Sequence, residues 1–227
     1  MSVADVPSTT FNPKVRWWTD NEWLSKYDRF LTPDKRPTAD RHRILDRRFT
    51  LQAFAASVRH LHGATAECGV YRGTGSALIC ATLQNTYVGE KHFGFDSFEG
   101  LPEVGRHDAD WKKGQLASAF DVAANHLSEF SDNCELVKGW IPDCFGIAAD
   151  KRFRLVHVDV DLEAATRESL EFFYPRAVPG ALFIFDDHGF LSCPGARKAT
   201  NEFLADRPEH LVELTTGQAI FYKRGSC

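Results

Sequence analysis

The chain has 227 residues, 43% hydrophobic and 26% charged, with 27 Lys and Arg against 31 Asp and Glu for a formal net charge of -4. That length carries one sizeable core but falls short of two independent domains, and the mild acidity without any Lys/Arg block argues against nucleic acid as a partner. No apolar run is long enough to span a bilayer and residues 1–5 lack the cationic start of a signal peptide, so a cytoplasmic protein with no membrane partner is expected.

The first forty or so residues are polar and irregular yet carry Trp17, Trp18, Trp23, Tyr27 and Phe30, too many aromatics for a free tail. They read as an N-terminal arm, residues 1–47, docked over the core, or more sharply as a lid or dimer contact beside a binding site. From Arg48 onward Phe49, Leu51, Phe54, Val58 and Leu61 recur at helical spacing, and His62-Gly63 ends the run. Short apolar runs at 64–68, 92–96, 135–138, 154–159, 181–186 and 219–223 then predict strands. Between them 76–84, 122–130, 166–173 and 196–204 predict helices. Such alternation over 48–227 predicts one α/β domain, a doubly wound, mostly parallel Rossmann-like sheet with helices on both faces. Six cysteines (Cys68, Cys80, Cys134, Cys144, Cys193, Cys227) form no C-x-x-C pair, so spacing points to neither a zinc site nor a disulfide framework.

In an open parallel sheet ligands bind beyond the carboxyl ends of the strands, and here that edge is acidic. Glu67, Asp96, Asp159 and the pair Asp186-Asp187 all fall at strand ends. Any one of them can be read as a helix cap, but five on one edge call for a ligand. The turn from Glu67 through Cys68, Gly69, Val70, Tyr71, Arg72 and Gly73 to Gly75 is glycine-rich, which lets a ligand approach the backbone, although it is not G-x-G-x-x-G. Asp96 stands where an acid accepts hydrogen bonds from ribose hydroxyls. An acidic rim suits the sulfonium and ammonium of S-adenosylmethionine better than the pyrophosphate of a dinucleotide.

A second constellation joins His157-Val158-Asp159-Val160-Asp161 to Phe185-Asp186-Asp187-His188. Carboxylates from two adjacent strand ends can meet at one point, and an all-oxygen set suits a hard cation such as Mg²⁺. The plainer alternative is that Asp161 and one of the paired aspartates are caps.

With these segments in view the sequence resembles the metal-dependent macrolide and sugar O-methyltransferases of the macrocin type, among the class I S-adenosylmethionine-dependent methyltransferases. The matching segments include 66–73, the Asp96-Ser97-Phe98-Glu99-Gly100-Leu101-Pro102 run, Lys138-Gly139-Trp140, 157–162, Asp186-Asp187 and 194–199. The resemblance implies that Glu67, Gly69, Tyr71 and Gly73 hold the methionine end of the cofactor. It places Asp96 and Ser97 at the ribose, with Gly139, Trp140 and Asp159 also on the cofactor. It further implies Asp159, Asp186 and Asp187 as ligands of Mg²⁺ or another divalent ion, and Asp161 as general base, with His188 the second candidate. Where the family often has D-L-Y-E-S, this chain has Asp161-Leu162-Glu163-Ala164-Ala165, so the usual tyrosine is missing.

The expected reaction is methylation of a small-molecule hydroxyl, on a sugar or glycosylated natural product, giving a methyl ether and S-adenosylhomocysteine. A homo-oligomer is left open. Two alternatives compete: a nicotinamide-dependent oxidoreductase on a similar sheet, opposed by the acidic edge, and a non-catalytic cofactor-binding module, which would have no use for the metal-ready carboxylates.

Overall fold

A computed structural model of the chain describes residues 21–30, 38–83, 86 and 89–225. Two helices precede the sheet: α1 (Asn21–Phe30) and α2 (Thr38–Ser57). The body then runs β1 (Ala64–Cys68), α3 (Thr74–Leu83), β2 (His92–Asp96), α4 (Phe120–His126), β3 (Cys134–Lys138), β4 (Phe153–Val158), α5 (Glu163–Phe173), β5 (Ala177–Phe185), α6 (Pro194–Leu204), β6 (Val212–Glu213) and β7 (Ala219–Tyr222). The sheet order is β3-β2-β1-β4-β5-β7-β6. β1 to β5 are mutually parallel, and β7 joins β5 antiparallel with β6 at the edge. The order reverses between β1 and β4, and loops leaving those two neighbours in opposite directions open a crevice at their carboxyl ends.

Central strands of a sheet covered on both faces should be apolar throughout rather than alternating. Every residue of β1 and β4 is buried. On one face α2 and α3 cover Leu155, Leu182, Ile184 and Ile220. The other face carries a phenylalanine core in which Phe173 of α5 packs its ring against Phe95, Phe145, Phe153 and Phe172 at centroid distances of 4.9 to 5.9 Å.

The predicted strands and helices are present with shifted bounds. The 122–130 helix ends at His126 and resumes as a 3₁₀ turn over Ser128–Phe130. The helix ahead of β1 starts ten residues before Arg48, because its first half, rich in Asp, Arg and His, conceals the apolar period. β6 was missed: two exposed residues at a sheet edge have no apolar run to betray them. Trp23, Tyr27 and Phe30 pack with Leu45, Leu78 and Phe130 over α3. Trp17, Trp18 and Cys227 lie outside the described residues, as does the end of the predicted 76–84 helix.

Cys80, His92 and Cys134, far apart in sequence, bring their ligand atoms within 4.8 Å of one another. His92, however, already uses both ring nitrogens, on Thr65 Oγ1 at 2.8 Å and Ser76 Oγ at 2.9 Å. No helix among the described residues is long and apolar enough to cross a membrane.

Phe173 is completely buried. Phe173→Ala should cost about 3–5 kcal/mol, the usual range for emptying a buried ring site. Urea unfolding at unchanged slope measures it, and a loss below about 1 kcal/mol would mean the aromatic cluster repacks.

Candidate active site

At the switch point lies a pocket of about 320 Å³ whose walls come from the ends of β1, β2, β3, β4 and β5 and from α2. Gly69, Tyr71, Asp96, Ser97, Gly139, Trp140, Asp159, Asp161 and Asp187 all line it. Its floor needs glycine at 69. The backbone there has φ +87°, and a Cβ would sit 1.8 Å from the Asp159 carbonyl oxygen, so no other residue fits between the ends of β1 and β4.

Asp96 ends β2 and accepts the Tyr71 N–H through Oδ2 and the Phe98 N–H through Oδ1, both at 2.7 Å. With the Val70 backbone as a further donor, the carboxylate still keeps acceptor capacity for a ligand hydroxyl. Burial raises its pKa and these backbone donors oppose the rise. Ser97 donates to the Gly100 carbonyl at 3.0 Å, pinning the turn that follows. Among the described residues the non-glycine positions with left-handed backbone are Tyr71, Phe98, Leu116 and Asp161. Three of them line the pocket, so strain is concentrated where ligands would sit.

Glu67, Gly73, Asp186 and His188, which the sequence reading also assigned to the site, do not line this pocket. Side chains alternate along an extended chain, and at the end of β5 this turns Asp187 to the pocket while Asp186 and His188 point elsewhere. The buried His188 ring lies 3.1 Å from Glu213 through Nε2, and burial lowers its pKa. Gly73 supports the turn from outside, its N–H bonding the Val70 carbonyl at 2.8 Å.

Glu67 and Asp186 share a different task. Both are buried, with the fully buried His157 between them. His157 Nδ1 lies 2.9 Å from Glu67 Oε1 and Nε2 lies 3.5 Å from Asp186 Oδ1, so with a carboxylate on each nitrogen the ring is an imidazolium. Burial works against that charge, but the two acids prevail and lift its pKa to about 9. Ser76 Oγ donates to Glu67 Oε2. Asp186 further accepts Gln218 Nε2 at 2.6 Å and pairs with Arg47 at 2.8 Å. Burial alone would raise its pKa, yet Arg47 and His157 hold it far below the usual carboxylate range.

Arg47 and Arg48, to which the sequence reading gave no role, line the pocket from α2. Arg48 pairs with Asp159 at 3.4 Å, and the Arg47 guanidinium lies over the Phe190 ring at 4.9 Å. Two adjacent arginines at the point where a charged helix half gives way to an apolar one were the available signal.

The three acids predicted to hold metal are divided: oxygens of Asp159 and Asp186 cluster with His157, while Asp187 clusters with Asp161 and Cys193. Asp187 Oδ2 accepts the Asp161 N–H at 2.8 Å. Burial first, and then the charges of Asp161 and Asp159, raise Asp187 well above an ordinary carboxylate. Burial and Asp159 lift Asp161 to about 7. Cys193 donates to Asp161 Oδ1 at 3.5 Å.

The family model for macrocin O-methyltransferase (TylF) matches residues 19–224, nearly the whole chain. The chain belongs to that family. It is 30% identical to the 8-demethyl-8-(2,3-dimethoxy-alpha-L-rhamnosyl)-tetracenomycin-C 4'-O-methyltransferase of Streptomyces olivaceus. That alignment covers 59% of this chain and 56% of the enzyme, so the chain spans little more than half the relative's length. Among solved structures, the O-methyltransferase NovP superposes with TM-score 0.67 at 20% identity over 79% of this chain and 80% of NovP. The calicheamicin methyltransferase CalS11 superposes with TM-score 0.65 at 22% identity over 89% and 93%. The same fold recurs in O-methyltransferases solved with S-adenosylmethionine or S-adenosylhomocysteine bound. The sheet is thus of the Rossmann-like methyltransferase type.

His157→Leu would leave Glu67 and Asp186 buried without the cation between them. We expect a loss of about 3–5 kcal/mol, typical when one partner of a buried ion pair is removed. Equilibrium denaturation reads it, and a change under about 1 kcal/mol would show that the acids are not held by this charge.

Proposed function

We propose that this chain methylates a sugar hydroxyl, using S-adenosylmethionine and a divalent metal ion. The observation that carries the reading is a single pocket whose wall joins the glycine turn and Asp96 to the carboxylates of Asp159, Asp161 and Asp187. The family and the rhamnose-methylating relative support a sugar as acceptor.

The residues suit both groups. The close approach permitted by Gly69 and the spare acceptor capacity of Asp96 fit the methionine and ribose parts of the cofactor. Asp161 and Asp187 bring their oxygens close together, and among the described residues neither makes a direct ion pair, so a hard dication would relieve their repulsion. Asp159 and Asp187, facing the pocket, would hold it; Asp186 would complete the set only by releasing Arg47. When bound, the cofactor supplies an electrophilic methyl group and the ion makes the acceptor hydroxyl more acidic.

The protein's own part is orientation and proton transfer. Cys193 occupies Asp161 Oδ1, leaving Oδ2 to take the hydroxyl proton as the acceptor oxygen gains the methyl group. A carboxylate raised to about 7 is a stronger base than an ordinary aspartate and still ionises near neutrality. Trp140 and Trp111 line the pocket and would flank a bound acceptor.

Two measurements test this reading. Asp96→Ala should weaken S-adenosylmethionine binding by roughly 1.5–3 kcal/mol in calorimetry, the worth of hydrogen bonds to a charged acceptor. Unchanged affinity would remove Asp96 from the site. Methyl transfer to a rhamnoside should vanish with EDTA, return with Mg²⁺, and be absent in Asp187→Asn while cofactor binding persists. Full activity in chelator-treated enzyme would sink the metal assignment.

A further inference from the structure

The loop between β2 and α4 forms the roof of the pocket, carrying Leu101, Pro102, Trp111 and Leu116 onto its wall. It closes on itself: the Leu101 N–H bonds the Gln115 carbonyl and the Gly114 N–H bonds the Leu101 carbonyl, both at 2.8 Å. Near its middle stands Asp108, only 2% exposed, an unusual place for an aspartate.

Asp108 is buried against the starts of two helices. Its Oδ2 accepts the N–H of Glu163, the first residue of α5, at 3.1 Å. Its Oδ1 occupies the space beside Gly195, in the first turn of α6, where a Cβ would stand 2.0 Å from that oxygen. A carboxylate at helix N-termini is favourably placed against the macrodipole. Its own backbone then holds the roof, since the Asp108 carbonyl accepts the Trp111 N–H at 3.0 Å. His107, one residue earlier, pairs with Glu163 as well. Glu163 follows Asp161 by two residues, so one contact joins the Trp111 end of the roof to the segment bearing the proposed base.

We propose that Asp108 is a positioning residue for the acceptor: by latching the roof loop to the N-termini of α5 and α6, it fixes Trp111 on the pocket wall that Asp161 and Asp187 also line and so sets acceptor affinity. The inference rests on the methyltransferase reading above. Glu163, Gly195 and Trp111 are the groups through which Asp108 acts. Asp96 and Gly69, on the cofactor side, are bonded independently of it.

The test compares Asp108→Ala, Asp108→Asn and Gly195→Ala. Steady-state methylation of a rhamnoside, cofactor calorimetry and hydrogen exchange over residues 100–116 are the readouts. Asp108→Ala should raise the acceptor KM about tenfold, the scale of one lost charge-assisted hydrogen bond. It should speed exchange in the loop while kcat and cofactor affinity hold. Asp108→Asn keeps a carbonyl oxygen for the Glu163 N–H and should restore most of the affinity. Gly195→Ala changes α6 and not the loop, yet should reproduce the KM rise because its methyl takes the place of Oδ1. An unchanged KM in Asp108→Ala, or equal losses of cofactor and acceptor binding, would overturn the proposal. If the wild-type chain methylates no sugar, the functional reading fails by itself, and unchanged loop exchange in Asp108→Ala would then still overturn the latch.

Discussion

Three charged groups are buried where β1, β4 and β5 run side by side: Glu67, His157 and Asp186. Charges taken out of water cost several kcal/mol each unless partners replace the lost hydration. Here the partners can exist only if the fold is complete. Glu67 and His157 face each other because β1 and β4 pair in that register, and His157 reaches Asp186 because β5 pairs on the other side. Arg47 closes the set from α2, and Gln218, one residue before β7, closes it from the far edge. Elements distant in sequence are therefore bound to a single arrangement, and slipping one strand by a residue would carry its charge to the opposite face.

This network explains why the pocket remains acidic despite two arginines in its wall. Arg47 pairs directly with Asp186 and Arg48 with Asp159, so Asp161 and Asp187 feel Arg47 only at longer range, and burial and neighbouring acids outweigh it. The surplus negative charge is confined to one end of the pocket. At the other end Asp96 is surrounded by backbone N–H groups. The cationic cofactor and the proposed metal ion would meet different acids, because the fold places Asp96 and the pair of Asp161 and Asp187 at different parts of the pocket wall.

Much of this was legible in the sequence, for a definite reason. Strand ends next to glycine or paired acids mark the carboxyl edge of a parallel sheet, and the predicted strands located Gly69, Asp96, Asp159, Asp161 and Asp187 on the pocket wall. What could not be read was the direction of each side chain. Consecutive acids such as Asp186 and Asp187 look alike on paper and both are buried, but the two-residue period of the strand turns Asp187 to the pocket wall and Asp186 to the His157 side. The direction of Glu67 is hidden for the same reason: it is fixed by pairing with His157, a partner 90 residues away. Arg47 and Arg48 escaped notice because a helix-borne charge gains meaning only from what it docks against.

The same limit applies to the roof. The run from Asp96 to Pro102 is conspicuous as a motif, whereas the residues that hold the loop down, Asp108 and Gly195, stand far apart and belong to no common pattern. Their fit follows from the packing of α5 beside α6, which brings two helix starts close enough for one carboxylate to meet both. A bulkier residue at 195 would displace Asp108, and with it the Trp111 end of the roof. The pocket is thus shaped from two sides by unlike constraints: buried charges fix its floor through strand register, and a helix-end contact fixes its roof through the spacing of α5 and α6. The floor cannot change without breaking the sheet, but the roof can vary by changes in one loop, which makes it the part of the fold where acceptor preference can diverge while the chemistry below stays the same.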